Sequence, residues 1–258
     1  MPKISVIMPC YNEEKSIGKS IKSILNQSFT DFEFIIVDDC STDNTVNVIN
    51  SFKDERIKLI RKKENSGVAA SLNLGLQNAT GKYVARMDAD DICERERLQV
   101  QYEYMENNED VVIVGTWAYT INPITNSIRE SRTPVSDSEI RRYMQKDSPF
   151  IHPSVLFRRI VNRSPVFYSE LKGFEDYDLW IRLSKHGKMA NIPKFLVTRY
   201  DANNFKTKNT WSGLGKVDVY KRRLYYQWQA VKAFGIFPQT PFYLLKTIIS
   251  IILAKKEG

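Results

Sequence analysis

The first ninety residues alternate between two hydrophobic periods. Runs of apolar and β-branched residues at Ile4-Ser5-Val6-Ile7-Met8, at Phe32-Glu33-Phe34-Ile35-Ile36-Val37, from Arg56 to Arg61 and from Lys82 to Met87 predict four strands. Between them, Ile17, Ile21, Ile24 and Leu25 recur at helical spacing. Thr42 to Phe52 reads as a second amphipathic helix with Ser41 or Thr42 as its N-cap, and Val68 to Gln77 as a third. This strict β-α order predicts a parallel sheet with right-handed crossovers. Beyond Asp91 the pattern predicts a helix from Arg95 to Glu106, a strand from Val111 to Val114, and a less regular region from Asn122 to Thr133. A helix from Asp137 to Gln145, a strand from Ser154 to Phe157, a helix from Asp176 to His186 and a strand pair from Met189 to Tyr200 follow. From Trp211 onward the chain reads as helical.

A chain of 258 residues with 42% apolar and 12% aromatic content suits one α/β domain over about residues 1–200 and an appendage over 201–258. Met1-Pro2-Lys3 leads straight into a strand, so no signal peptide is expected and the expected location is the cytoplasm. Cys10, Cys40 and Cys93 are odd in number and lack Cys-x-x-Cys spacing, which argues against a disulfide framework or a thiolate metal site.

Charge adds a partner to this picture. From Asp201 onward ten Lys or Arg face three acidic residues, which accounts for nearly all of the net charge of +8. The same segment holds the apolar stretch Pro241 to Ala254, closed by Lys255-Lys256. It falls short of the roughly 20 apolar residues a bilayer crossing needs. A basic helical tail with an apolar face is expected to lie on an anionic membrane surface, at the inner face of the membrane. The alternatives are packing on its own domain or against a second subunit, and the oligomeric state is left open. No basic stripe with interleaved stacking aromatics runs through the main domain, so no nucleic acid is expected.

Chemistry concentrates where the strands end. Tyr83-Val84-Ala85-Arg86-Met87 runs into Asp88, Asp90 and Asp91, Val37 runs into Asp38-Asp39, and Met8 runs into Pro9-Cys10-Tyr11-Asn12-Glu13-Glu14. In an open parallel sheet the carboxyl edge is where ligands bind. Three clustered carboxylates repel one another, and a hard divalent cation with oxygen preference relieves that cost. An acidic turn that starts the next helix is the competing reading. Gly18-Lys19-Ser20 mimics the end of a phosphate loop, but Glu13 stands where its first glycine belongs, and no Gly-x-Gly-x-x-Gly follows the first strand. A nucleotide would have to be held by side chains and a metal.

Four motifs in order, Ser5 to Glu14, Val37 to Asp43, Asn65 to Asn73 and Met87 to Asp91, resemble those of the family 2 glycosyltransferases across about residues 4–200. The resemblance implies the GT-A fold: a Rossmann-like, mostly parallel central sheet flanked by helices, here with a C-terminal helical extension. Its nucleotide-binding half would span about 1–91 and its acceptor half about 92–200. It implies inverting transfer of a sugar from a nucleotide-diphosphate donor, commonly a UDP-sugar, with Mg²⁺ or Mn²⁺ held at Asp90. The acceptor would be a saccharide or lipid-linked saccharide of cell-surface polysaccharide synthesis. By the same resemblance, Pro9, Tyr11, Asn12 and Glu13 line the nucleoside pocket, Asp39 accepts the N–H of the base, Asn65 and Gly67 form the other wall, and Asp88 faces the ribose or donor sugar. Asn65 and Gly67 read equally well as a loop turn and helix start. Cys40 departs from the family's usual glycine.

Gly173-Phe174-Glu175-Asp176-Tyr177-Asp178 resembles the family's Glu-Asp motif and makes Asp176 the expected base, with Glu175 as a neighbouring acceptor-site residue. Trp180 is expected to floor the acceptor site or to pack in the core. His152 is expected to reach donor phosphate or acceptor, against the reading of a satisfied structural histidine. Lys206 and Lys208, in the polar stretch Asp201 to Thr210, are expected to form a lid. A catalytically silent sugar-nucleotide-binding or scaffold protein is the leading alternative. A sugar nucleotidyltransferase would need the glycine-rich loop that is missing after the first strand.

Overall fold

The computed structural model describes residues 1–170, 173–200 and 215–256. Its strands are β1 (Ile4–Cys10), β2 (Phe32–Asp38), β3 (Ile57–Arg61), β4 (Tyr83–Arg86), β5 (Ile92–Cys93), β6 (Val111–Ile121), β7 (Ile128–Ser131), β8 (Leu156–Arg158), β9 (Ile160–Val161), β10 (Ser164–Pro165) and β11 (Lys188–Tyr200). The helices are α1 (Ile17–Leu25), α2 (Thr45–Asn50), α3 (Val68–Asn78), α4 (Arg97–Asn107), α5 (Asp137–Tyr143), α6 (Glu175–Leu183), α7 (Lys216–Phe234) and α8 (Thr240–Lys256).

The main sheet runs β3-β2-β1-β4-β8-β6-β11-β5, with β7 paired to β6. The four strands read from the first ninety residues are parallel, and β6 is parallel to β11. The second half is more mixed, because β8 enters antiparallel between β4 and β6, and β5 closes the far edge antiparallel to β11. Alternation along each strand feeds two cores. Val6, Met8, Phe34 and Ile36 face α1 and α4 through Ile17, Ile21, Leu98 and Met105. Ile7, Ile35 and Val37 face α3, α5 and α6 through Leu72, Ile140, Leu179 and Trp180, and α7 adds Tyr226 and Ala230 to this second core.

Three predicted elements differ in extent. The second helix starts at Thr45 with Asn44 as N-cap, not at Thr42. Its expected first turn is spent on loop hydrogen bonds: the Ser41 N–H reaches Asp38 and the Thr42 N–H reaches Asn12, while Asp43 accepts from the Thr45 N–H at 2.9 Å. The region around Asn122 to Thr133 is a hairpin, since β6 continues to Ile121 and pairs with β7. The expected strand pair near 189–200 is one strand, β11, whose register shifts between Ile192 and Phe195. Pro193 sits in that interval and has no N–H to give a ladder, so a bulge replaces a turn. The tail is two helices joined at Gly235, and the stretch Asp201 to Thr210 and Trp211 lie outside the described residues.

The amino edge of the parallel strands is stitched shut. Glu33 on β2 accepts from Ser5 Oγ at 2.7 Å, from the Thr80 N–H at 2.7 Å and from Lys58 Nζ at 2.6 Å, while the Gly81 N–H donates to Ser5 Oγ. Burial raises the proton affinity of Glu33, but bonds from Lys58, Ser5 and Thr80 outweigh it and bring the carboxyl down to about 2. The stability it contributes is present above the ordinary carboxylate range and is lost as pH falls from about 4.5 toward 2. Glu33→Gln should therefore cost about 3 kcal/mol at neutral pH and flatten the acid limb of stability, measured by urea melts across pH.

Candidate active site

The carboxyl edge of the same strands carries the predicted site. Pro9, next to last in β1, turns its nitrogen toward β4, and the β1–β4 ladder stops at Ile7 and Arg86, so its missing N–H leaves no gap. Asn12 holds a left-handed backbone, φ +56°, that folds residues 11–14 over the loop after β2. There the Asn12 N–H donates to Ser41 Oγ, the Thr42 N–H to Asn12 Oδ1 at 2.8 Å, and the Glu13 N–H to Thr45 Oγ1 at 2.7 Å. Tyr11 stands exposed beside this seam.

Asp39 organises the opposite wall. Its Oδ1 accepts from Lys62 Nζ at 2.5 Å and from the Ser66 N–H at 3.0 Å, and its Oδ2 accepts from the Gly67 N–H at 2.8 Å. A carboxylate offers about four lone-pair sites, so one on Oδ2 stays open. Gly67 has φ +86° and ψ 172°, a region essentially reserved for glycine, and a Cβ there would meet nothing within 4 Å. The constraint is therefore backbone conformation, and the bond to Asp39 enforces it. Asn65 lies exposed on the same loop. Cys40 makes its turn at φ +65°, so the family's usual glycine is replaced here at a conformational cost.

The end of β4 is the electrostatic centre. Asp88, Asp90 and Asp91 each place a carboxylate oxygen within 4.8 Å of the others. Burial, then Asp88 and Glu13, raise Asp90 to about 6. Burial, then Asp88 and Asp90, raise Asp91 well above the usual carboxylate range, against the nearby Arg199 guanidinium at 3.8 Å. Arg86 is buried, pairs with Asp88 and eases the ionisation of Asp90, Asp91, Glu175 and Asp176 alike. Hard oxygen donors at this spacing, still short of positive charge, fit a Mg²⁺ or Mn²⁺ ion.

Glu175 and Asp176 open α6 after two left-handed residues, Gly173 at φ +71° and Phe174 at φ +66°. Burial raises Glu175 to about 7, with Asp176 next and Asp88 adding to the effect. Burial also raises Asp176, whose Oδ2 accepts a long 3.4 Å bond from Ser148 Oγ. Asp178 is committed to Arg182 at 2.8 Å. Glu175 lies within electrostatic reach of Asp88, and Asp176 of Arg86, so the start of α6 sits beside the acidic turn.

Two expected acceptor-site residues serve structure. Trp180 is fully buried, its ring edge-on to Phe150 and His152, so it offers no open face to a sugar and takes the core reading. His152 shares a 3.0 Å hydrogen bond with the hydroxyl of buried Tyr168, and burial, then Arg86 and Arg199, hold the ring neutral. The expected lid residues Lys206 and Lys208 lie outside the described residues. A cavity of about 860 Å³ opens beside Arg95, Tyr119 and Phe195, and none of Asp88, Asp90, Asp91, Glu175 and Asp176 lines it.

Sequence reasoning missed what holds the acidic turn. Arg97 is fully buried and donates to the carbonyls of Arg86 at 2.8 Å and Val155 at 3.3 Å, while its Nε reaches Gln101. Gln101 donates to the carbonyls of Val114 and Ser154, and Ser20 on α1 donates to the Ala89 carbonyl at 2.7 Å. Arg97 and Gln101 are four residues apart and flank Leu98 and Met105 on the buried face, a register the charged run Arg95-Glu96-Arg97 disguises.

Among known proteins, the profile of Glycosyl transferase family 2 matches residues 5–164. The putative glycosyltransferase EpsE of Bacillus subtilis is 36% identical over 86% of this chain and 83% of its own. The amylovoran biosynthesis glycosyltransferase AmsE of Erwinia amylovora is 28% identical over 97% of this chain and 95% of its own. In structure, S. aureus TarS, solved with UDP-GlcNAc, superposes with a TM-score of 0.72 at 20% identity over 96% of this chain and 72% of its own. The mannosyltransferase PcManGT of Pyrobaculum calidifontis, solved with GDP-Man and Mn²⁺, gives 0.65 at 18% identity over all of this chain and 76% of its own.

Two outcomes test the site's construction. Gly67→Ala should cost about 1–3 kcal/mol of stability in a chemical melt, whereas Cys40→Gly should be neutral or stabilising. Mn²⁺ should raise the melting temperature of the wild type, and Asp90→Asn should abolish that rise.

Proposed function

The chain belongs to glycosyl transferase family 2 and is a glycosyltransferase of GT-A fold, and from that premise we propose an inverting transfer from a UDP-sugar to a saccharide or lipid-linked saccharide acceptor in cell-surface polysaccharide synthesis. The observation that carries the mechanism is the pairing of two acidic groups across one edge: a cation-hungry cluster at the end of β4 and a protonatable pair at the start of α6. The UDP assignment draws on TarS and the polysaccharide setting on AmsE.

Inversion needs the leaving diphosphate neutralised and the incoming hydroxyl deprotonated on the opposite face of the sugar. Asp90, with Asp88 and Asp91 in reach, would hold a divalent ion, which would supply Lewis-acid neutralisation of the donor diphosphate. The loop around Asn12 and Glu13 and the wall built on Asp39 and Gly67 hold the nucleoside, the open lone pair of Asp39 accepting the N–H of the base. Asp88 faces the ribose or donor sugar. Asp176 takes the proton from the acceptor hydroxyl, and the proton affinity that burial raises strengthens it as a general base.

Glu175 is the second reading for the base, favoured by its shift to about 7 and by its electrostatic contact with Asp88. Asp176→Asn should lower kcat by roughly 10²–10⁴ while UDP-sugar binding, measured by calorimetry, persists. A loss of that size in Glu175→Gln with Asp176→Asn active would move the base by one residue. Binding without turnover of any UDP-sugar in the wild type would support a silent binding protein instead. Because the base must be ionised, kcat should rise with pH through a midpoint above the ordinary carboxylate range.

A further inference from the structure

The C-terminal hairpin leaves one face uncovered. Thr247 is buried and Tyr243, Leu244, Ile251 and Ala254 are half-buried on the side of α8 that packs on α7. At 100° per residue the opposite side centres on Phe242, Leu245, Ile249 and Ile252, widened by Ile248 and Leu253, and these six are between 41% and 64% exposed. Lys246 stands at one margin of this stripe and Lys255 at the other. On α7 and the connection, Tyr225, Trp228 and Ile236 are also exposed.

The hairpin is fixed to the body. Gln145 donates to the Gly235 carbonyl at 2.6 Å, Gln227 to the Lys146 carbonyl at 3.1 Å, and Arg223 pairs with Asp147 at 3.3 Å. The Thr240 hydroxyl donates to Gln145 at the start of α8. Both sides of α8 are therefore apolar, one covered by protein and the other by nothing within the chain's described residues. A contiguous patch of this kind marks an interaction surface.

Charge selects the occupant. From Val219 to Lys256 the sequence has seven Lys or Arg and no Asp or Glu. A second copy laid face to face would bring Lys246 and Lys255 against like charge, whereas an anionic lipid surface complements them. Exposed Trp228 and Tyr225 suit the headgroup level. No described helix is long and apolar enough to cross a membrane. We propose that the outer face of α8, bordered by Lys246 and Lys255, seats this protein on an anionic membrane surface, with the helix axis in the membrane plane. This inference stands apart from the donor chemistry, since it rests on no residue of the acidic edge.

The test is sedimentation of the full chain with vesicles of phosphatidylcholine alone or of phosphatidylcholine and phosphatidylglycerol in equal parts, with light scattering for mass and circular dichroism melts for folding. The expected result is partition onto anionic vesicles only, weakened roughly tenfold or more in Ile249→Glu. Lys246→Gln combined with Lys255→Gln should weaken it about thirtyfold, with melts unchanged in both variants. Equal binding to neutral vesicles, or no binding to either, overturns the proposal. A dimer in the wild type that Ile249→Glu converts to monomer overturns it too, because a second copy would then cover the face. None of these readouts involves sugar transfer, so a failed transferase reading leaves them intact.

Discussion

Like-charge repulsion at the carboxyl edge of the sheet is the constraint around which the molecule is arranged. Glu13, Asp88, Asp90 and Asp91 meet there from two loops, and Glu175 and Asp176 come in from α6. Buried Arg86 pairs with Asp88 and relieves part of the cost, but burial and the neighbouring carboxylates still keep Asp90 and Asp91 reluctant to ionise. The opposite edge obeys the contrary rule. Glu33, Ser5, Lys58 and Thr80 satisfy one another so fully that Glu33 is held ionised far into acid. One end of the same strands is saturated and rigid, and the other is left short of positive charge.

Holding repelling groups in register requires a scaffold that does not yield. Arg97 and Gln101 supply it by gripping four carbonyls, on β4, on β6 and on the segment before β8. A buried guanidinium without a carboxylate is costly, and here carbonyl acceptors replace water. Ser20 adds a clamp on the turn itself through the Ala89 carbonyl. Position, and with it electrostatic tension, is thereby fixed before any ligand arrives.

The parallel half of the fold was legible because β1, β2 and β4 are buried on both faces and its helices carry clean periodicity. The acidic turn was legible because three carboxylates crowd the end of one strand pattern, and the Glu175–Asp176 pair because its stretch resembles a family motif. What was not legible depended on distant partners. Ser41 and Thr42 cap nothing, since their side chains are spent on Asn12: Ser41 Oγ accepts the Asn12 N–H and Thr42 Oγ1 donates to Asn12 Oδ1. β7 was hidden because its residues Ile128 to Ser131 are mostly exposed and lack an apolar alternation. Trp180 could not be told from a sugar platform without seeing Phe150 and His152 against it. Arg97 hid within a run of charge that reads as solvated.

The stacking of Tyr226 on Phe174 and Tyr177, with ring centres 5.7 and 5.4 Å apart, reaches further than packing. Those two rings flank Glu175 and Asp176 in the chain, so a helix far along the sequence roofs the very turn that presents them. Where charge and composition change, near residue 200, the chain changes character but its folding unit does not end. A polypeptide stopped there would keep every carboxylate of the acidic edge and lose the aromatic lid over the turn that presents Glu175 and Asp176.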